Sequence, residues 1–281
     1  MKKSEQEEKI IGTINERVKS AESFLTPYVE NWTRYYKLFR SFIDDDKWPT
    51  HSKIFNPYIW SAIETQTSKS IASKPNGEFK PANPETNIDK DKMALAFDDW
   101  WRKELMNFKA QSTFKKGMIY GTTMSRIVWE FKMGNKGGKR QVIIDRPHVR
   151  LMRLEDMMVG FDTTPDEERG IGWIYEKFYM TKKELEDIRD SVSAPLYQNL
   201  KKAIKNFEDN EFPQSAYKED KMNVSGASSV KDTTVKKVKC IYMEDLNEGK
   251  IYFLVGEKTL IQNIPNPFLF ETSFIIATNS I

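Results

Sequence analysis

The residues of this chain best suited to acid–base, nucleophilic or soft-metal chemistry are two histidines, His51 and His148, and one cysteine, Cys240. His51 sits in a polar connection and His148 follows Pro147, and neither is paired by spacing with a further ligand or a nucleophile. Asp145 stands near enough to His148 in sequence to orient an imidazole, but acid–base catalysis would still need a reactive partner, and a charged strand end is the plainer reading. Asp44, Asp45 and Asp46 offer hard oxygen ligands for magnesium or calcium. Adjacent acids do not reproduce an EF-hand ligand series, so a solvated helix stop accounts for them better. Gly170 and Gly172 lack the strand, turn and helix of a dinucleotide fingerprint. Lys136, Gly137, Gly138 and Lys139 form a basic hairpin tip without a complete phosphate loop. The chain therefore presents no catalytic, cofactor-binding or metal-binding set, and the expectation is a protein that is not an enzyme.

Aromatic and basic residues form a second constellation. Trp32, Tyr35 and Tyr36, with Arg34 and Lys37 between and beside them, could stack on exposed bases while attracting phosphates. The same residues make a packing face whose basic rim keeps its charged heads in water. Trp100 and Trp101 belong to a complete apolar periodicity and read as core or subunit-interface residues. Charge sets a further limit: 44 basic and 41 acidic side chains leave a formal net charge of +3, too balanced for a dedicated nucleic-acid domain. A lone cysteine makes no internal disulfide, so a reducing compartment is expected. No apolar run suggests a membrane span, and acids follow the basic first residues where a secretion signal would be apolar.

The elements that must position these residues fall into two kinds. Helical spacing links Ile10, Ile11, Ile14 and Val18, and Pro27 is expected to end that helix and start another carrying Trp32, Tyr35, Tyr36, Phe39 and Phe42. A third helix is expected from Pro57 with Ile59 or Trp60, Ile63 and Thr67 on one face, followed by a loop containing Pro75, Gly77, Pro81 and Pro84. Met93, Phe97, Trp100, Trp101, Leu105 and Phe108 form the clearest amphipathic stripe and predict one helix over 89–108. A continuation carries Phe114 and Met118, with Gly117 and Gly121 permitting close approach. Beyond Gly121 the period drops to two through Ile127, Trp129 and Phe131, which predicts a strand, a turn near Gly134 and a return strand at 142–144. Alternation resumes at 171–180, Thr181 and Glu184 have capping-box spacing, and helices are expected within 181–207. Strands at 235–242 and 251–255 should form a hairpin.

The fold class expected is α+β, amphipathic helices followed by small antiparallel sheets. The segments are a mainly helical 1–121, a strand-rich 122–207, a flexible polar excursion at 208–234 and a hairpin-bearing 235–281.

The run FKKGMIYGTTMSRIVWEF at 114–131, a helix ending in a small glycine-containing turn that enters a strand, resembles the portal proteins of tailed bacteriophages. The stretches 32–39, 54–57 and 62–73, and later Arg146, Pro147 and 154–157 with the acidic connection reaching Pro165, are similar to the same family. The likeness spreads over about residues 28–270. It implies a wing-type fold and a ring, commonly of twelve copies, at the unique capsid vertex of a virion assembled in the bacterial host cytoplasm. Such a ring passes double-stranded DNA without sequence preference. It contacts the major capsid protein, the terminase packaging motor, a head–tail adaptor or tail proteins, and a scaffold protein.

On this resemblance Trp32, Tyr35, Tyr36, Phe39, Trp100, Trp101, Phe114, Gly117, Gly121 and Trp129 are candidate structural or interface residues. Arg34, Lys37, Lys115, Lys116, Lys139 and Arg140 are candidate DNA-facing or interface charges. A long pair of stem helices is not visible, and Phe274, Ile275 and Ile276 arrive late without an evident partner, so a continuation past Ile281 is expected. A nonenzymatic nucleic-acid-binding module and a hydrolase-like enzyme built on His148 and Asp145 stay open as alternatives.

Overall fold

The computed structural model describes residues 3–42, 56–70, 80, 89–136, 139–160, 171–189, 197–209, 236–267 and 272–278. The expected excursion from 210 onward, the acidic triplet 44–46, His51, most of the Pro/Gly-rich stretch and the connection 161–170 lie outside the described residues. The chain is α+β, with helices and antiparallel sheets. It forms two compact units, each assembled from separated segments.

The first unit comprises Met1–Arg34, Met133–Gln141 and Met152–Ser273. Its centre is a five-stranded antiparallel sheet in the order β3 (Met157–Val159), β4 (Trp173–Thr181), β5 (Lys237–Asp245), β6 (Lys250–Val255) and β7 (Thr259–Pro265). One face buries Val238, Cys240, Phe253, Val255 and Ile261 against α5 (Lys182–Arg189) and α6 (Leu200–Lys205), which contribute Leu185, Leu200, Ala203 and Ile204. Lys239 and Asp245 alternate with that set on β5, so they point to the opposite face. There α1 (Lys3–Phe39) meets them: Arg17 Nη1 lies 2.5 Å from Asp245 Oδ2, and Lys177 donates to Glu22 at 2.8 Å. With both faces covered, β5 and β6 are buried at nearly every position instead of every second one.

Two local signals appear as read. Thr181 and Glu184 form the reciprocal capping box, with Thr181 N donating to Glu184 Oε2 at 2.6 Å and Glu184 N to Thr181 Oγ1 at 3.3 Å. The hairpin of β5 and β6 pairs Asp245 with Lys250. Pro27 departs from expectation, because α1 runs through it unbroken. An internal proline removes one backbone donor at a cost of about 3 kcal/mol. Burial of Ile14, Val18, Ala21 and Leu25 before it and of Trp32 after it offsets that loss.

The second unit comprises Tyr35–Lys132, Val142–Leu151 and Phe274–Ile281. It holds α2 (Tyr58–Ser70), α3 (Lys90–Lys103), α4 (Met106–Tyr120) and, apart from strand residues 133–141, a three-stranded sheet in the order β2 (Lys139–Leu151), β1 (Thr122–Lys136), β8 (Phe274–Thr278). Helix α2 packs on α4 through buried Ile63 and Thr67, with Lys115 paired to Glu64. Ile59 and Trp60 of α2 stay exposed. The partner that the sequence withholds from Phe274 is β1: Phe274 aligns with Arg126, whose guanidinium lies 5.2 Å from the ring centroid.

Candidate functional site

Helix α3 starts under Asp89, whose carboxylate accepts from Lys92 N at 3.1 Å. The apolar stripe predicts that it continues to residue 108. Instead the helix stops at Lys103, and Leu105 adopts the left-handed conformation at φ 52° and ψ 42° before α4 begins. A branched side chain there costs roughly 1–2 kcal/mol. Opposing that cost is what the corner does with Glu104, whose side chain is fully buried.

Three positive or proton-bearing groups converge on it. Lys109 Nζ donates to Glu104 Oε2 at 2.6 Å, and His148 Nδ1 lies 2.7 Å from the same oxygen. Arg146 Nε is 2.8 Å from Oε1 as an ion pair, but at an angle too poor for a hydrogen bond. Burial pushes the Glu104 pKa up; the Lys109 hydrogen bond and the charges of His148, Lys109 and Arg146 outweigh it and hold the group below the ordinary carboxylate range. Trp100 Nε1 adds a bond to Pro147 O at 2.7 Å, so α3, α4 and β2 are joined at one point.

Glu104, Glu130 and His148 bring ligand atoms within 4.8 Å of one another, and two carboxylates with an imidazole are a divalent-metal ligand set. The residues around them do not fit such an ion. Lys109 Nζ lies within 3.4 Å of both Glu104 Oε2 and His148 Nδ1, and Arg146 stands on the other oxygen. Two cations already balance the two carboxylates, so the cluster is an ion-pair clamp. Nor does it place His148 with Asp145, whose Oδ1 accepts from Trp129 Nε1 at 2.7 Å. Cys240 is buried in the first unit, where burial pushes its thiol up to about 12, far from a reactive thiolate.

Beside the clamp lies an apolar groove of about 480 Å³ between α4 and the three-stranded sheet. Met106, Ala110, Thr113, Phe114 and Gly117 supply the helix side, at the 3–4 residue spacing that lines up one helical face. Small residues on both walls, among them Ala110, Gly117, Thr123, Ser125 and Ala277, leave the space open. A Cβ added to Gly117 would meet nothing nearer than Thr123 Cγ2 at 4.0 Å. The close approach read from the glycine pair is therefore not made at Gly117. Gly121 has a different task, ending α4 at φ 77°, a conformation that favours glycine.

The structure distributes the other candidate residues widely. Trp32 and Phe39 are buried, Tyr36 is half-buried and Tyr35 is exposed. Trp100 and Trp101 are half-buried with both indole N–H groups bonded, Trp101 to Asn107 Oδ1 at 2.8 Å. Trp129 is two-thirds exposed. Lys115 pairs with Glu64 and lies over the Phe39 ring, and Lys37 lies 5.7 Å from the Phe42 ring centroid. Arg34 is exposed in α1 and Lys116 is half-buried in α4. Lys139 and Arg140 belong to β2, and their side chains lie outside the described residues.

Sequence reasoning missed Glu104, Lys109, Glu130 and Arg146. One signal was present: Glu104 falls on the apolar stripe itself, in line with Phe97, Trp100 and Phe108 at helical spacing. An acid inside such a stripe asks for a buried partner. A second missed group is Glu244, fully buried in the first unit, which accepts from Tyr242 Oη at 3.0 Å, Thr272 Oγ1 at 2.6 Å and the backbone and hydroxyl of Ser273.

Compared with known proteins, the chain matches no family model and no curated sequence.

Proposed function

We propose that this chain is a structural subunit of the portal type, working in a closed homo-oligomeric ring at a capsid vertex. The observation that carries the assembly part of this reading is the apolar surface of the second unit. Tyr58, Leu95, Leu105, Phe108, Trp129 and Ile143 each expose well over half of their surface. Large aromatic side chains dominate interface energetics, so this exposure favours association with another surface. The portal part rests on the sequence resemblance at 114–131. The passage from α4 through left-handed Gly121 directly into β1 supports it, since that is the element in which the likeness is strongest.

In this role the subunit does no chemistry of its own. It serves as a conduit for double-stranded DNA during packaging and ejection. It also docks the terminase motor, the tail adaptor, the capsid protein and a scaffold protein. Basic side chains too few to attract DNA on one subunit act together when repeated around an axis. Negative-stain imaging with mass photometry of the purified chain tests the reading. Closed rings of a uniform copy number are expected; a monodisperse species near 32.9 kDa at micromolar concentration overturns it.

A further inference from the structure

We infer that Glu244 is the pin of β8: its buried carboxylate holds the two residues that feed that strand, so β8 keeps its register on β1 and opens only from its far end. The pin acts within one chain and does not depend on the ring.

The carboxylate lies on β5 and is fully buried. Its Oε2 accepts from Thr272 Oγ1 at 2.6 Å and from Ser273 N at 3.1 Å. Its Oε1 accepts from the Ser273 hydroxyl and from Tyr242 Oη at 3.0 Å. All four donors are neutral. A charged group persists out of water only where hydrogen bonds replace its hydration, and bonds to an ionised acceptor are roughly twice as strong as neutral ones. Three of the four donors belong to Thr272 and Ser273, the pair directly before β8. The stabilisation of the buried charge and the placement of that pair are therefore one arrangement, and neither can be given up without the other.

Strand β8 has little else to fix it. It is five residues long and, among the described residues, pairs on one side only, with β1. Burial falls along it: Ser273 and Phe274 are buried, Ile276 is half-buried, and Ile275 and Ala277 are exposed. Segments with few buried contacts open first. The chain passes from the first unit to the second between Ser273 and Phe274, so the Glu244 bonds are the last fixed point before the strand. Register depends on that point. Ile275 and Ala277 align with Ser125 and Thr123 in the groove wall, and a slip of one residue would turn the other set inward.

Hydrogen–deuterium exchange on the full chain, resolved to single amides, tests the pin. In the wild type, exchange is expected to rise from 274 to 278, with the far end about tenfold faster than the start. Thr272→Val/Ser273→Ala removes two donors without touching β5. It should accelerate the amides of 274–276 by about tenfold and flatten the gradient, while β5 and β6 stay within about twofold of wild type. Glu244→Gln should accelerate them less. Its oxygen can stay on Ser273 N while its amide donates to the Ser273 and Tyr242 hydroxyls, which are able to accept. A flat wild-type profile, or a gradient that survives in the folded double variant, would overturn the pin. So would equal acceleration of β5, β6 and β8, which would make Glu244 a core group of the first unit and nothing more.

Discussion

The first unit covers both faces of its sheet with its own helices, whereas the second leaves a groove open and sets Phe108, Trp129 and Ile143 in solvent. The contrast lies in where large side chains meet small ones. Across the first sheet Phe253, Ile261 and Leu185 face one another and fill the space between layers. Between α4 and β1 the facing residues are Ala110, Gly117, Thr123 and Ser125. An unfilled layer gives up dispersion contacts. The second unit forgoes that gain, while the first draws its stability from within.

Core truncation should split the units most sharply. Ile261→Ala in the first unit should cost about 2–5 kcal/mol in urea unfolding, because Ile261 is fully buried within the α5–α6 cluster. Phe108→Ser should cost the unassembled chain at most about 0.5 kcal/mol. Equal losses would erase the distinction drawn between the units.

The second unit depends on its polar clamp instead. Glu104→Gln should destabilise by about 2–3 kcal/mol at neutral pH, since it leaves Lys109 and Arg146 partly buried without their carboxylate. The pH sign follows from the depressed folded-state pKa of Glu104. Its contribution is complete above the unfolded value of 4.5 and is lost as pH falls through the folded one. Wild type and Glu104→Gln should therefore converge in stability on acidification below about pH 4.5. A gap that stays constant to pH 2 would assign the loss to packing.

The smallest effect sharpens the account of the groove. Gly117→Ala should stabilise the unassembled chain by about 0.5–1 kcal/mol, because alanine loses less backbone entropy and its Cβ has room. A destabilised variant in thermal melts would mean that the groove is tighter than its walls suggest.

What the sequence disclosed was local. The Thr181 and Glu184 box, the hairpin of β5 and β6, and the exit of α4 at Gly121 each depend on residues within a few positions of one another. Pro27 and Leu105 misled because tertiary terms of several kcal/mol outweighed local preference: burial along α1 carried the helix through the proline, and the Glu104 clamp broke a stripe that looked continuous. The pairing of β8 with β1 joins residues about 150 positions apart, and no short-range pattern encodes it. The site was legible only in part. Phe114, Gly117 and Gly121 were singled out, but the groove needs β8 as well, and the clamp needs charges that look ordinary until they are brought together.

Gly121 carries a consequence for how this protein can change over time. It is the single residue between the end of α4 at Tyr120 and the start of β1 at Thr122, so helix and strand share one junction without slack. A strand turns alternate side chains to opposite faces, and inserting or deleting one residue there would exchange the two sets. Thr123 and Ser125 would leave the groove wall, and even-numbered neighbours such as Met124 would take their places. Surface loops in general tolerate changes in length, but this junction can change only by substitution, and at Gly121 hardly even by that.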